Sequence, residues 1–202
     1  MGTRCSRPFR WRRGGGWTEP VLTRDFFDRP VLEVAPELIG ATLLVDGVGG
    51  EIVEVEAYDE SDPASHSFRG PTPRNLAMFG PSGHAYLYKI YGIHFCLNFV
   101  CEPGSAILIR ALRPTAGFDA MHQRRGGVVD KQLCSGPGKL AEALGLDLTQ
   151  NGLALDEAPF QLLAATAPRE VATGLRIGIT KGVETPWRFV ERGSAYLSKP
   201  LK

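Results

Sequence analysis

Glu51–Tyr58 (EIVEVEAY) is the first stretch whose residue types could do chemistry. Alternation along a strand puts Ile52, Glu54, Glu56 and Tyr58 on one face and Val53, Val55 and Ala57 on the other. Two carboxylates and a phenol on one face fit a solvated sheet surface, the commoner fate of such alternation. They also fit a cleft floor, where a carboxylate acts as general base beside an aromatic platform. The pattern leaves both open. Arg110 lies inside the mostly apolar strand Ala106–Leu112, and a buried guanidinium needs a partner. Glu54 or Glu56 could supply it, as a structural ion pair or as part of a site.

Three further stretches carry polar or reactive groups. His84–Phe99 (HAYLYKIYGIHFCLNF) reads as two strands joined at Tyr91-Gly92. His84, Tyr86, Tyr88 and Ile90 share a face of the first strand. In the second, Ile93, Phe95, Leu97 and Phe99 form one stripe and His94, Cys96 and Asn98 the other. Gly92 supplies the positive φ of a tight turn, but Tyr91 is a large aromatic at an exposed tip and suggests something to insert into. Residues 59–83 form a long Gly/Pro/Ser-rich loop holding His66, Arg69, Thr72, Arg74 and Asn75, groups suited to phosphates or bases. His66 alone is as readily a hydrogen-bonded structural histidine. Cys134-Ser-Gly-Pro-Gly-Lys-Leu140 leads into a helix over 139–146, and its backbone N–H groups with Lys139 could hold phosphate. It is not a Walker A motif, lacking both the spacing and the Lys-Ser/Thr pair.

These groups sit in a chain of 202 residues with ordinary globular composition and a net charge of +1. The charge is unevenly spread. Residues 1–19 hold five Arg against one Glu, and 20–68 hold two basic against eleven acidic residues. Residues 69–139 then hold nine basic against three acidic, so a polyanion-binding face stands beside scattered surface charge as a reading. No apolar run reaches the ~20 residues of a membrane helix, and no apolar stretch follows the N-terminal arginines as a secretory signal requires. Four scattered cysteines fit a reducing cytosol rather than a disulfide framework, and neither their spacing nor that of the histidines fits zinc.

Residues 1–19 read as a basic, disordered tail and 20–202 as one α+β domain without internal repeats. Positioning elements are expected as a helix over 31–40 and a hairpin of 41–45 with 51–58 across residues 46–50. After the central hairpin come the strand 106–112, a helix over 115–125, the 139–146 helix and strands at 160–164, 175–180 and 187–192.

Taken in order from about residue 24 to the C-terminus, the motifs closely resemble the alkyladenine (3-methyladenine) DNA glycosylase family. The matching segments are Ile52–Tyr58, Ala64–Ser67, Thr72–Asn75, Ala85–Asn98, Leu108–Leu112, Leu133–Leu140, Arg176–Ile179 and Arg192–Ser194. The resemblance implies a largely antiparallel curved sheet with surrounding helices and a protruding hairpin. It implies a monofunctional enzyme that flips damaged purines (3-methyladenine, other alkylpurines, hypoxanthine, ethenoadenine) from duplex DNA and hydrolyses the N-glycosidic bond. Glu56 matches the general base that directs water at C1′, Arg110 the Arg that holds that water, and Ile177 the residue whose carbonyl does likewise. Tyr58, His66 and Tyr88 match the walls around the flipped base, and Asn98 the residue that crowds the exocyclic amine of guanine. Tyr91 matches the minor-groove wedge, with Gly92 beside it, and Thr72, Arg74 and Lys139 match DNA-contacting positions. Glu54 is carried over with no role. No cofactor or metal is implied, and a monomer in the cytoplasm, on the nucleoid if prokaryotic, is the expectation. Departures at Ile93-His94, at Phe68–Pro71 and in a short loop over 181–186 bear on lesion preference. Two rival classes remain: a non-catalytic nucleic-acid-binding module on the same scaffold, and a hydrolase of another N-glycoside, which would have no use for a duplex wedge.

Overall fold

The computed structural model describes residues 20–201, so the expected basic tail lies outside the described residues. The chain enters through two short helices, α1 (Arg24–Phe27) and α2 (Val31–Glu37), which bury Phe27, Val31, Val34 and Ala35. Two strands follow, β1 (Thr42–Val45) and the long β2 (Val48–Tyr58). Their connection is only Asp46-Gly47, both with positive φ, in place of the expected loop over 46–50. Asp-Gly is the pair that a primed hairpin turn selects, so Val48, Gly49 and Gly50 continue the strand. The two glycines are there for closeness: a Cβ at 49 would lie 1.9 Å from the Leu43 carbonyl oxygen, and one at 50 equally close to that of Arg113.

The central hairpin is β3 (Ala85–Ile90) and β4 (His94–Val100), followed by β5 (Ala106–Ala116), β6 (Phe160–Leu163), β7 (Val171–Gly174) and β8 (Arg188–Glu191). All pairings are antiparallel within one 8-stranded sheet whose main path runs β3-β4-β5-β2-β1-β6. Along one edge β2 pairs with β5 throughout. Along the other it pairs first with β1 and then, at Glu54–Glu56, with β8, whose far edge takes β7. The sheet therefore forks around β2, which accounts for its curvature, and the α+β architecture is as expected.

Helices α3 (Phe118–Arg125), α4 (Asp130–Leu133) and α5 (Pro137–Leu144) lie between β5 and β6. Pro137 opens α5, where its missing N–H costs nothing, and Gly145 closes it in the left-handed region. Leu140, Ala141, Ala143 and Leu144 turn inward to join the main core with α2 and the inner faces of β1 to β5. A second, smaller apolar cluster of Met78, Tyr86, Val100 and Ala106 lies apart from it.

One expectation fails here: Leu175–Thr180 is not a strand, since Gly178 has φ +78° and Leu175 is exposed, so the segment runs as a loop, and the pairing strand precedes it at Val171–Gly174. Of the two readings left open for the Glu54 and Glu56 face, the solvated surface is excluded, for both carboxylates are fully buried.

The close approach around β2 predicts an order of stabilities. Gly50→Ala should cost about 3 kcal/mol as an overpacking defect against backbone. Gly47→Ala, with nothing within 4 Å of the added Cβ, should bear only a left-handed backbone cost of ~1 kcal/mol. Urea midpoints at unchanged slope measure both; equal midpoints would contradict the tight register.

Candidate active site

Ile52 pairs with Leu112, Glu54 with Ala111 and Val55 with Ile109, leaving Val53 on β2 and Arg110 on β5 without direct partners. Paired irregularities of this kind increase local twist and re-aim side chains. They lie where Glu54, Glu56 and Arg110 meet. Glu56 accepts three hydrogen bonds, from Tyr58 Oη at 2.8 Å, Arg110 Nη1 at 3.1 Å and the Ile177 backbone N–H at 2.7 Å. A carboxylate offers about four lone-pair sites, so one acceptor position is left over. Loss of water and the Glu56 charge push the Tyr58 phenol far above its usual range, which keeps its proton in place as a donor.

Glu54 is saturated differently. Arg110 Nε (3.0 Å), Arg188 Nε (2.9 Å), Ser198 Oγ (2.7 Å) and the Ser198 N–H (2.6 Å) all donate to it. Burial works to lower the Arg110 pKa, but Glu56 and Glu54 more than offset this, so the guanidinium is raised above its ordinary value and stays charged. Two arginines and two glutamates thus balance inside the protein, the condition under which buried charge is tolerated.

Tyr58, Arg110 and Ile177 also line a cavity of about 510 Å³, within the range of small-ligand sites. Glu56 stands directly behind that wall. The opposite wall is the face of the central hairpin: Tyr86, Tyr88, Ile90, Cys96 and Asn98 come together because Tyr86 pairs with Asn98 and Tyr88 with Cys96. Asn98 Nδ2 donates to the Tyr86 and Cys96 carbonyls, which fixes its amide. His66 sits at the rim, ring-edge to Tyr88 at 4.5 Å between centroids, with Nδ1 2.8 Å from Tyr86 Oη. Loss of water around the ring, then the Arg74 charge, lowers its pKa, so the imidazole is neutral at pH 7.

The outer parts cluster less tightly. Tyr91 is 86% exposed, yet touches the cavity mouth and holds φ +51°, an uncommon conformation for a bulky residue. Gly92 has φ +72°, and Ile93 completes the connection at 70% exposure instead of continuing the β4 stripe. Arg74 bridges the main cavity and a neighbouring hollow of about 310 Å³ that includes Thr72, Arg69 and Lys181. The 59–83 loop is ordered by Asn75, which accepts from Thr72 and donates to the His66 and Gly70 carbonyls. Lys139 is exposed on α5 outside the cavity wall, although Pro137 of the same helix lines it.

Sequence reasoning passed over several participants. Tyr86 was placed on the correct face without a role. Arg176 lies 4.7 Å from the Tyr58 ring centroid and 5.3 Å from that of Trp187, and joins Asp62 to the Gly182 carbonyl. It thereby backs Tyr58 and ties the 59–83 loop to the 175–182 loop. A buried Arg in Leu175–Thr180 was the available signal, obscured by reading that segment as a strand. Arg188 and Ser198 carried no local signal. Among the described residues, no group of three or more His, Cys, Asp and Glu is placed to hold a metal, and no helix is long and apolar enough to cross a membrane.

Arg176→Met should cost roughly 3–5 kcal/mol, because Asp62 is left buried without its partner. Arg176→Met/Asp62→Leu, which removes both charges, should recover much of that loss in chemical denaturation. A double variant no more stable than the single one would contradict the pairing.

Comparison with known proteins identifies the family. The methylpurine-DNA glycosylase family model matches residues 25–195. A relative from Rhodopseudomonas palustris, named "Putative 3-methyladenine DNA glycosylase", is 61% identical over 185 residues, covering 90% of each chain. One of the same name from Bradyrhizobium diazoefficiens is 61% identical over 183 residues, 89% of this chain and 92% of its own. A third, from another strain of R. palustris, is 55% identical over 205 residues and spans both chains completely. The chain belongs to the methylpurine-DNA glycosylase family of DNA base-excision repair enzymes.

Proposed function

We propose that this protein excises alkylated and related damaged purines from duplex DNA as a monofunctional glycosylase, with Glu56 as general base. The observation that carries the proposal is the Glu56 carboxylate: three of its acceptor sites are filled by Tyr58, Arg110 and Ile177, behind the wall of an aromatic-lined cavity. The remaining site takes a water. Glu56 accepts a proton from that water as its oxygen bonds to C1′ of the deoxyribose, and the C1′–N bond breaks with its electron pair leaving on the purine. Oxocarbenium-like charge on the sugar is favoured by the same carboxylate. Arg110 helps to hold the water, and the Ile177 carbonyl is assigned a second contact to it.

The extruded base stacks between Tyr58 and Tyr88 with His66 at the rim, and Asn98 crowds the exocyclic amine of guanine. Flipping costs a few kcal/mol, least for a poorly paired lesion. Tyr91 at the exposed hairpin tip, beside Gly92, offsets part of that cost as an inserted wedge. Thr72, Arg74 and Lys139 serve as backbone contacts. No amine is assigned to the reaction centre, so the strand stays intact and an abasic site is left.

The test is single-turnover base release from duplexes carrying one hypoxanthine, ethenoadenine or 3-methyladenine. Wild type should release base and leave the strand uncut, and Glu56→Gln should be slower by roughly a thousandfold while still binding the lesion. Comparable release by the two proteins would remove Glu56 from the base role, and silence of wild type on all three lesions would sink the proposal. Tyr91→Ala should reduce the preference for lesion over undamaged duplex about tenfold, the value of one lost stacking contact, with nonspecific binding little changed. An unaltered preference would argue against the wedge.

A further inference from the structure

We infer that Ser198, held with Lys199 against Glu54 and Arg188, belongs to the excision machinery as the positioning residue that aims Arg110 at Glu56. The inference rests on the glycosylase reading above and adds to it.

Arg110 divides its donors among three acceptors: Nε to Glu54 at 3.0 Å, Nη1 to Glu56 at 3.1 Å and Nη2 to Ser198 Oγ at 3.3 Å. The same hydroxyl donates to Glu54 Oε1 at 2.7 Å, so one oxygen closes a ring through Arg110, Glu54 and Ser198. The Ser198 N–H holds the other Glu54 oxygen at 2.6 Å. From the far side Arg188 grips both Glu54, through Nε, and the Lys199 carbonyl, through Nη2. This segment lies in neither a helix nor a strand, so these contacts, not a backbone ladder, hold it in place.

Ser198 is not part of the cavity wall, so any effect on the reaction passes through Arg110. Three contacts fix the guanidinium plane. Without the hydroxyl, Nη2 loses its acceptor and Glu54 loses a donor, and the group can pivot about the Nε–Glu54 bond. The contact that gives way is Nη1 to Glu56, at 3.1 Å the longest of the three that Glu56 accepts. Glu56 keeps Tyr58 and Ile177, and of the cavity lining only Arg110 shifts, so the Tyr58, Tyr88 and His66 rings that receive the base are untouched. The step affected is therefore water activation, not lesion capture.

The experiment is the enzyme-concentration dependence of single-turnover hypoxanthine or ethenoadenine release, which separates a maximal rate from a half-saturating concentration. For Ser198→Ala the maximal rate should fall roughly 10- to 100-fold, as misplacement of a catalytic group does, with half-saturation unchanged. Ser198→Thr, which keeps the hydroxyl, should restore most of the rate. If Ser198→Ala does not fold, Ser198→Cys carries the same comparison, because its thiol keeps the side chain but weakens both hydrogen bonds. A wild-type maximal rate in Ser198→Ala or Ser198→Cys would overturn the inference, as would a change confined to half-saturation. A folded Ser198→Thr as slow as Ser198→Ala would overturn it too. In each of these cases an active wild type leaves the glycosylase reading standing. A wild type that releases no base overturns that reading, and the inference with it.

Discussion

One guanidinium shared by two carboxylates is the contact on which the rest of the structure depends. Arg110 reaches Glu54 through Nε and Glu56 through Nη1, and all three residues are buried. An unpaired charge in that position would cost several kcal/mol, so every element around it serves to complete the set. The irregularities in β2 and β5 aim the three side chains together, β8 brings Arg188 to the second edge of β2, and the 175–180 loop delivers a backbone N–H to Glu56. A regular sheet, with each residue directly paired, would lack the local twist that accompanies their meeting.

Much of the scaffold was legible because its signals are local. Alternation put Tyr86 and Tyr88 on one face of the first hairpin strand and Cys96 and Asn98 on one stripe of the second, and the register Tyr86 with Asn98 and Tyr88 with Cys96 then brings the two sets together. The helices were located but not bounded: those expected over 31–40, 115–125 and 139–146 run Val31–Glu37, Phe118–Arg125 and Pro137–Leu144, the last two set by Gly117, Pro137 and Gly145. Where a local signal was ambiguous, tertiary context decided. Alternating Glu and Val in β2 is equally compatible with water or with a covering layer, and the cover arrives from residues 175–180 and 196–199, far along the chain. Leu175–Thr180 has the apolar alternation of a strand, but Gly178 takes a left-handed backbone and breaks it. The turn at Asp46-Gly47 was read too long because Gly49 and Gly50 look like loop residues; they are glycines because neighbouring carbonyls come too close for any Cβ.

The candidate site divides along the same line. Glu56, Arg110 and Tyr58 could be listed from strand patterns, though not chosen over a structural ion pair without the resemblance to a known family. Arg188 and Ser198 could not, since their partner lies 134 and 144 residues away and leaves no mark on neighbouring sequence, and the partner of Arg176, 114 residues away, was hidden by reading its segment as a strand. Arg176 shows what that separation conceals: one side chain backs an aromatic wall and joins two loops distant in sequence.

The connection from Glu54 to Ser198 also bears on how the molecule is made. A chain synthesised from its N-terminus emerges with Glu54, Glu56 and Arg110 long before Arg188 and Ser198 exist. Until then two acidic groups face a single guanidinium, and the charge balance that permits their burial is missing. Strands β1 to β5 can pair early, but β2 has an open edge at Glu54–Glu56 until β8 arrives. Closure of the reaction centre therefore cannot precede the synthesis of Arg188 and Ser198, and with it the pairing of β2 to β8.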